Sequence, residues 1–311
     1  MKISFVIPVY NEAESLDQLY HEIVREIPHD HTYEIVFVDD GSSDSSFDEL
    51  KKISANDENV MIIKLRRNFG KAAALQTGFE VAEGDYIITL DSDLQDNPKE
   101  IKNFIAKLNE GFDLVSGWKK ERKDPLGKKI PSRFYNKVTA SLFKLQLKDF
   151  NCGFKAYRRR VLQELDIYGE LHRYIPVLAH AKGYKVAEIP VEHRPRKHGK
   201  SKYGAERLFR GFFDLLTVRL LTSYIRSPLY LFGSIGFCFT GLGTIIALYL
   251  SIMKIFWGMP LSNRPLLFMG ILLITVGLQI FSIGLIAELI INQSRKLNRN
   301  SSVSIEKTIN M

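Results

Sequence analysis

Cysteine is scarce in these 311 residues: only Cys152, beside a Gly-Phe turn, and Cys238, inside an apolar run, are present. That scarcity argues against a disulfide framework, and a reducing compartment is expected. Histidines are few as well; His193 and His198 have no companion ligand nearby, so no histidine metal cage is expected. The opening MKISFVIPVYNE lacks the apolar stretch of a secretory signal and turns polar at once. It reads as a first β-strand, which keeps the front of the protein in the cytoplasm. Charge is missing altogether between Arg226 and Lys254 and again between Arg264 and Glu288. Each gap exceeds the roughly 20 apolar residues needed to cross a bilayer.

Positive charge is in excess, with 43 Lys and Arg against 35 Asp and Glu, net +8. That balance suits an anionic partner: a membrane surface, phosphates or nucleic acid. The basic residues sit beside the apolar stretches rather than on a recognisable DNA- or RNA-reading module, which argues against nucleic acid. Arg219 and Arg226 precede the first stretch and Arg295, Lys296 and Arg299 follow the second, while the connecting loop carries only Lys254 and Arg264. This asymmetry predicts a two-helix transmembrane hairpin in the plasma membrane with both termini cytoplasmic. The chain thus divides into an α/β domain over 1–202, an interfacial amphipathic region over 203–226, two spans within 227–292 (about 229–253 and 266–288) and a polar tail over 293–311.

The front domain alternates apolar runs with amphipathic stretches: Ile3–Val9 then Glu14–Ile27, Glu34–Val38 then Ser45–Ile53, Val60–Leu65 then Lys71–Ala82, Tyr86–Leu90 then Lys99–Asn109, and Leu114–Gly117. The pattern predicts an α/β fold, a mostly parallel sheet with helices on both faces. Ligands bind such sheets beyond the carboxyl ends of the strands, so the polar residues closing each run are the candidates for chemistry. After Tyr86–Leu90 come Asp91-Ser92-Asp93-Leu94-Gln95-Asp96. Carboxylates at i and i+2 on a strand's end can face one hard cation, and oxygen ligands suit Mg²⁺ or Mn²⁺ bridging to a diphosphate. After the earlier runs come Pro8-Val9-Tyr10-Asn11-Glu12 and Val38-Asp39-Asp40-Gly41-Ser42-Ser43-Asp44. A carboxylate there can accept a nucleobase N–H and an aromatic can cover the base; Asp39-Asp40-Gly41-Ser42 is equally a turn and helix cap.

These motifs, in this order, resemble family 2 glycosyltransferases with the GT-A fold. Ser132-Arg133 with Asn136, the run Asp149-Phe150-Asn151-Cys152-Gly153-Phe154-Lys155 with Arg158, and Arg196 with Gly199, Ser201 and Lys202 are similar to the polyisoprenyl-phosphate branch. That branch includes dolichol-phosphate mannose synthase and GtrB-type glucosyltransferases, and the closing pair of spans matches the GtrB-like layout.

The resemblance implies an inverting enzyme that moves a hexose from a nucleotide diphosphate sugar, UDP-glucose first, to undecaprenyl phosphate for cell-envelope glycan modification. UDP-N-acetylglucosamine, GDP-mannose and a UDP-aminoarabinose derivative are the alternative donors, and a non-catalytic sugar-nucleotide scaffold is the rival of another class. It implies that Pro8, Tyr10, Glu12, Asp39, Asp40, Asp91 and Ser92 bind the nucleotide sugar. Asp91, Asp93 and Gln95 would hold the metal, and Arg133, Arg196, Ser201 and Lys202 the acceptor phosphate. Asp93, Asp149 and Arg133 are the catalytic candidates, with Asp149 positioning the attacking group or taking its proton. Arg194 and its basic neighbours would help grip phosphate, and Lys119–Arg133 would form a flap. A homo-oligomer, a tetramer by analogy, is also implied. No Gln-x-x-Arg-Trp motif is present, since the only tryptophans are Trp118 and Trp257, which argues against a processive polysaccharide synthase.

Overall fold

The computed structural model describes residues 1–120, 126–195, 207–224, 227–258, 260 and 264–297. Each apolar run becomes a strand: β1 (Lys2–Val9), β2 (Thr32–Asp39), β3 (Val60–Lys64), β4 (Tyr86–Thr89) and β5 (Leu114–Lys119). Helices α1 (Ala13–Glu26), α2 (Ser46–Asn56), α3 (Lys71–Val81) and α4 (Ile101–Asn109) lie between them. The apolar stripe of α1, Leu16, Leu19 and Ile23, is fully buried against a core that includes Ile3, Phe5, Ile7 and Phe37. Spacing of three and four residues puts those side chains on one helix face, which is why the segment coils and docks there.

Less regular sequence supplies the rest: α5 (Leu126–Phe143), β6 (Lys155–Arg158), α6 (Arg159–Gln163), α7 (Ile175–Ala181), β7 (Val186–Val191) and α8 (Arg207–Arg219). Most of the stretch expected as a flap is thus the helix α5, with residues 121–125 outside the described ones. The seven-stranded sheet has the order β3-β2-β1-β4-β6-β5-β7, and β6 alone runs antiparallel to its neighbours β4 and β5. The order turns between β1 and β4, which opens a crevice at the carboxyl ends of these strands. Val9 and Asp39 are level across β1 and β2, and Thr89 of β4 is level with Val6.

The chain forms two compact units, Met1–Val218 and Arg219–Met311, with the boundary at the end of α8. In the second unit, α9 (Pro228–Trp257) and α10 (Pro265–Leu297) pair as a hairpin, each long and apolar enough to span a bilayer. Phe237, Ile245, Phe268 and Leu272 point outward, the arrangement a lipid environment requires. Glycines set the seam: a Cβ on Gly236 would stand 2.6 Å from the Gly277 carbonyl oxygen, and one on Gly243 would stand 2.6 Å from that of Gly270. Glu288 accepts the Leu229 N–H at 3.4 Å, so this carboxylate serves the free N-terminus of α9.

Gly236→Val is expected to lower the thermal unfolding midpoint of the detergent-solubilised chain, since overpacking costs about 1–3 kcal/mol. An unchanged midpoint would mean that the seam is not closed at this glycine.

Candidate active site

The crevice has a first wall made by the residues that close β1 and β2. Asn11, in the left-handed region at φ 54°, donates its N–H to Ser42 Oγ at 3.0 Å, and its side-chain oxygen accepts the Ser43 N–H at 2.8 Å. The Glu12 N–H donates to Ser46 Oγ at 2.9 Å, which holds the starts of α1 and α2 together. Gly41 lies at φ 70°, and a Cβ there would sit 2.7 Å from Arg67 Cα, so only glycine lets the two loops pass.

The two adjacent aspartates have different roles. Asp40 accepts the N–H groups of Phe69 and Gly70 at 2.7 and 2.9 Å, so both its oxygens are used in holding the loop ahead of α3. Burial pushes its carboxyl upward, against the pull of those two donors. Asp39 is fully buried; its Oδ1 accepts the Ser42 N–H at 2.9 Å, while Oδ2 has no hydrogen-bond partner and lies 3.9 Å from Lys64 Nζ. A buried carboxylate oxygen left unbonded is costly, and a ligand N–H would satisfy it. Pro8, Tyr10 and Glu12 line the same wall half-buried.

The second wall is the loop after β4. Its turn is made by Leu94 at φ 61°, and the Gln95 N–H donates to Asp93 Oδ1 at 3.2 Å. Ser92 is buried, and its carbonyl accepts the Ser15 hydroxyl from α1. Lys71, the first residue of α3, forms an ion pair with Asp91. A lysine is unfavourable at a helix N-terminus, and that local conflict is the signal in the sequence that it serves a partner elsewhere. Lys119 at the end of β5 pairs with Asp96 at 3.1 Å, where Asp96 is only 1% exposed. Lys155 of β6, 3% exposed, donates to the Cys152 carbonyl. Burial pushes the Asp91 carboxyl up, but Lys71, Lys119 and Lys155 outweigh it and hold it at about 2. Burial, with repulsion from Lys71, holds Lys155 below the usual lysine range, and burial pushes the Cys152 thiol up to about 12, so it stays protonated.

Gly153 packs directly on this centre. A Cβ on it would stand 2.6 and 2.7 Å from the two oxygens of Asp91, so the missing side chain makes room for the carboxylate. Among the described residues no group of three or more His, Cys, Asp and Glu forms a metal cage. Asp91 and Asp93 nevertheless fit Mg²⁺ or Mn²⁺ of the kind that takes the rest of its shell from waters and a substrate diphosphate.

Asp149, 2% exposed, starts the segment that ends at Lys155. Its Oδ1 accepts the Asn151 N–H at 3.0 Å, which closes a turn rather than capping a helix. Lys155 feels the charges of both Asp149 and Asp91, so the two carboxylates share one electrostatic neighbourhood. Arg133 belongs to α5, and its side chain lies outside the described residues, as do Arg196, Ser201 and Lys202. Arg194, expected to grip phosphate, instead donates to Glu22 at 2.6 Å and Asn97 at 2.7 Å and pins the chain after β7 to the acidic loop. There the backbones of Asp96 and His193 also bridge. The lysines Lys71 and Lys119 were not among the expected site residues, because no spacing in the sequence links them to Asp91 and Asp96.

Residues 4–166 match Glycosyl transferase family 2. A dodecaprenyl-phosphate galacturonate synthase of Rhizobium johnstonii is 36% identical over 93% of this chain and 88% of its own length. An undecaprenyl-phosphate 4-deoxy-4-formamido-L-arabinose transferase of Pseudomonas fluorescens is 35% identical over 99% of this chain and 90% of its own. Among solved structures, glucosyl-3-phosphoglycerate synthase of Mycobacterium tuberculosis with Mn²⁺, UDP and phosphoglyceric acid superposes with a TM-score of 0.54 at 18% identity, covering 71% of this chain and 78% of that one. Staphylococcus aureus TarS with UDP-GlcNAc gives 0.52 at 20% identity, covering 72% and 68%. These two define a GT-A-like fold. The chain therefore belongs to glycosyl transferase family 2, within its polyprenyl-phosphate glycosyltransferase branch.

Gly153→Ala is expected to displace the Asp91 carboxylate and to lower turnover on the order of 100-fold, the usual result of a shift near 1 Å at a reacting centre. Thermal stability, measured alongside, is expected to change little by comparison. The depressed Asp91 carboxyl adds stability that is complete above its ordinary value of 3.8 and is lost as pH falls from there through about 2. Lys71→Met removes the largest opposing charge, so the carboxyl is expected to titrate higher by ¹³C NMR, and an unmoved titration would deny the pairing.

Proposed function

We propose that the enzyme joins the anomeric carbon of a UDP-linked, modified sugar to the phosphate oxygen of undecaprenyl phosphate, with inversion in a single displacement, on the cytoplasmic side of the membrane. Transfer from a nucleotide sugar to a polyprenyl phosphate follows from the family branch. Glucose, the first expectation for the sugar, gives way to the alternative. The named relatives act on galacturonate and on 4-deoxy-4-formamido-L-arabinose, which favours an acidic or formamido-substituted donor. The observation that carries the reading is the meeting of the acidic loop with Lys71 at the sheet's switch point.

Asp39, with its unbonded Oδ2, is suited to accept the base N–H, and Tyr10 to cover the ring. Asp91 and Asp93 would hold a divalent cation, which when bound supplies Lewis-acid stabilisation of the leaving diphosphate. Lys71 can turn from Asp91 to a phosphate oxygen, so its charge serves the carboxylate before the donor arrives and the diphosphate afterwards. The acceptor phosphate is already mostly ionised near neutral pH, so Asp149 has little need to take a proton and acts by positioning the groups around the attacking oxygen. Arg133, with Arg196, Ser201 and Lys202, would hold that phosphate against the repulsion of the donor's diphosphate.

The purified full chain, given undecaprenyl phosphate, Mg²⁺ and UDP-galacturonate, the UDP-formamidopentose or UDP-glucose in turn, is expected to add mass to the lipid with one of the first two. Faster transfer from UDP-glucose would reverse the choice of sugar. Asp93→Asn is expected to raise the barrier by roughly 3 kcal/mol, on the order of 100-fold in kcat. Near-normal turnover of that variant would sink the metal assignment.

A further inference from the structure

The segment from Lys148 to Lys155 is tied down at both ends, although it contains no regular structure before β6. At its start, Glu188 of β7 accepts two consecutive backbone N–H groups, from Lys148 at 2.9 Å and Asp149 at 2.9 Å. The Lys148 carbonyl accepts from Asn136 Nδ2 of α5 at 2.8 Å, and Asn136 lies one turn beyond Arg133 in that helix. Lys148 Nζ sits 3.8 Å over the ring of Trp118, at the end of β5. At its finish, Thr89 Oγ1 donates to the Gly153 carbonyl at 2.8 Å, Gly153 abuts Asp91, and Lys155 donates to the Cys152 carbonyl. One short piece of backbone therefore runs from the helix of Arg133, past Asp149, to the carboxylate of Asp91.

We propose that Glu188 is a positioning residue for the transfer reaction: its carboxylate suspends the Lys148–Asn151 turn from β7 and so sets Asp149 relative to Asp91, with Asn136 linking the same turn to α5. This rests on the roles proposed for Asp149 and Arg133 in the transfer. Glu188 is half-buried and stands near the like charge of Asp149, both of which push its carboxyl upward. Keeping a carboxylate in such a place is costly, and the two backbone donors it holds offset that cost. A Glu188 needed only for stability would be replaceable by any well-packed residue, whereas the suspension needs an acceptor aimed at both amides.

The test compares Glu188→Ala, Glu188→Gln, Asn136→Ala and Asp149→Asn in the full-length, detergent-solubilised enzyme, with kcat and the two KM values measured separately. Glu188→Ala is expected to lose on the order of 100-fold in kcat, the effect of misplacing a reacting group by about 1 Å, and to raise the KM for the polyprenyl phosphate. The KM for the nucleotide sugar is expected to change less than that for the polyprenyl phosphate, because the base would be held on the first wall and Asp91 keeps its own tie to Lys71. Glu188→Gln keeps a carbonyl oxygen for the amides and is expected to recover part of the loss. Asn136→Ala, at the other tie, is expected to show the same split and serves if Glu188→Ala does not fold. Wild-type kcat in Glu188→Ala beside an inactive Asp149→Asn would overturn the proposal while leaving the reading of Asp149 standing. Normal turnover in Asp149→Asn would remove that reading and the proposal with it. A fall in kcat with both KM values unchanged and no recovery in Glu188→Gln would also overturn it, as the mark of a smaller folded fraction.

Discussion

Three carboxylates and three lysines crowd the end of the sheet, and Asp96, Asp149 and Lys155 among them are almost wholly buried, where a lone charge is costly. Lys71 against Asp91, Lys119 against Asp96, and the charge of Lys155 felt by both Asp91 and Asp149 make that density tolerable. Breaking one pair would leave an uncompensated charge, so the loops that carry them have little freedom. A site that must bring two phosphorylated substrates together gains directly from this. The lysines are already in place and oriented before any substrate arrives.

The sheet topology decides where those charges meet. Parallel strands β1, β2 and β4 deliver Tyr10, Asp39 and Asp91 to one edge because their carboxyl ends face the same way. The antiparallel β6 enters from the opposite direction and brings Gly153 and Lys155 to the same place. Without that reversal, the segment bearing Asp149 would lie at the far edge of the sheet. The hairpin follows a different rule: its helices meet along glycines because, between apolar surfaces in lipid, close backbone approach replaces the hydrophobic drive.

Much of this architecture is legible in the order of residues alone. The strands β1 to β5 and the helices between them lie within a few residues of the apolar and amphipathic runs, since burial on a sheet and on one helix face imposes periods that the sequence displays. The acidic loop and the two spans are legible for the same reason, as local patterns with a local physical cause. The strands β6 and β7 and the helix α5 are not, because their residues carry no clear period and are held by partners distant in sequence. Arg194 shows the limit in reverse. Its basic surroundings suggest phosphate, yet Glu22, 172 residues away, takes its guanidinium.

The sequence determined, by itself, the alternating α/β framework, the pair of aspartates after β4, the apolar hairpin and the family. Each follows from the chemistry of neighbours along the chain. Only the tertiary structure decided that Lys71 answers Asp91, that Asp40 is spent on holding a loop while one oxygen of Asp39 has no hydrogen bond, and that Glu188 carries the turn of Asp149. Those are pairings between groups far apart in sequence, and an electrostatic or hydrogen-bond partner is chosen by distance in space, which no local pattern records.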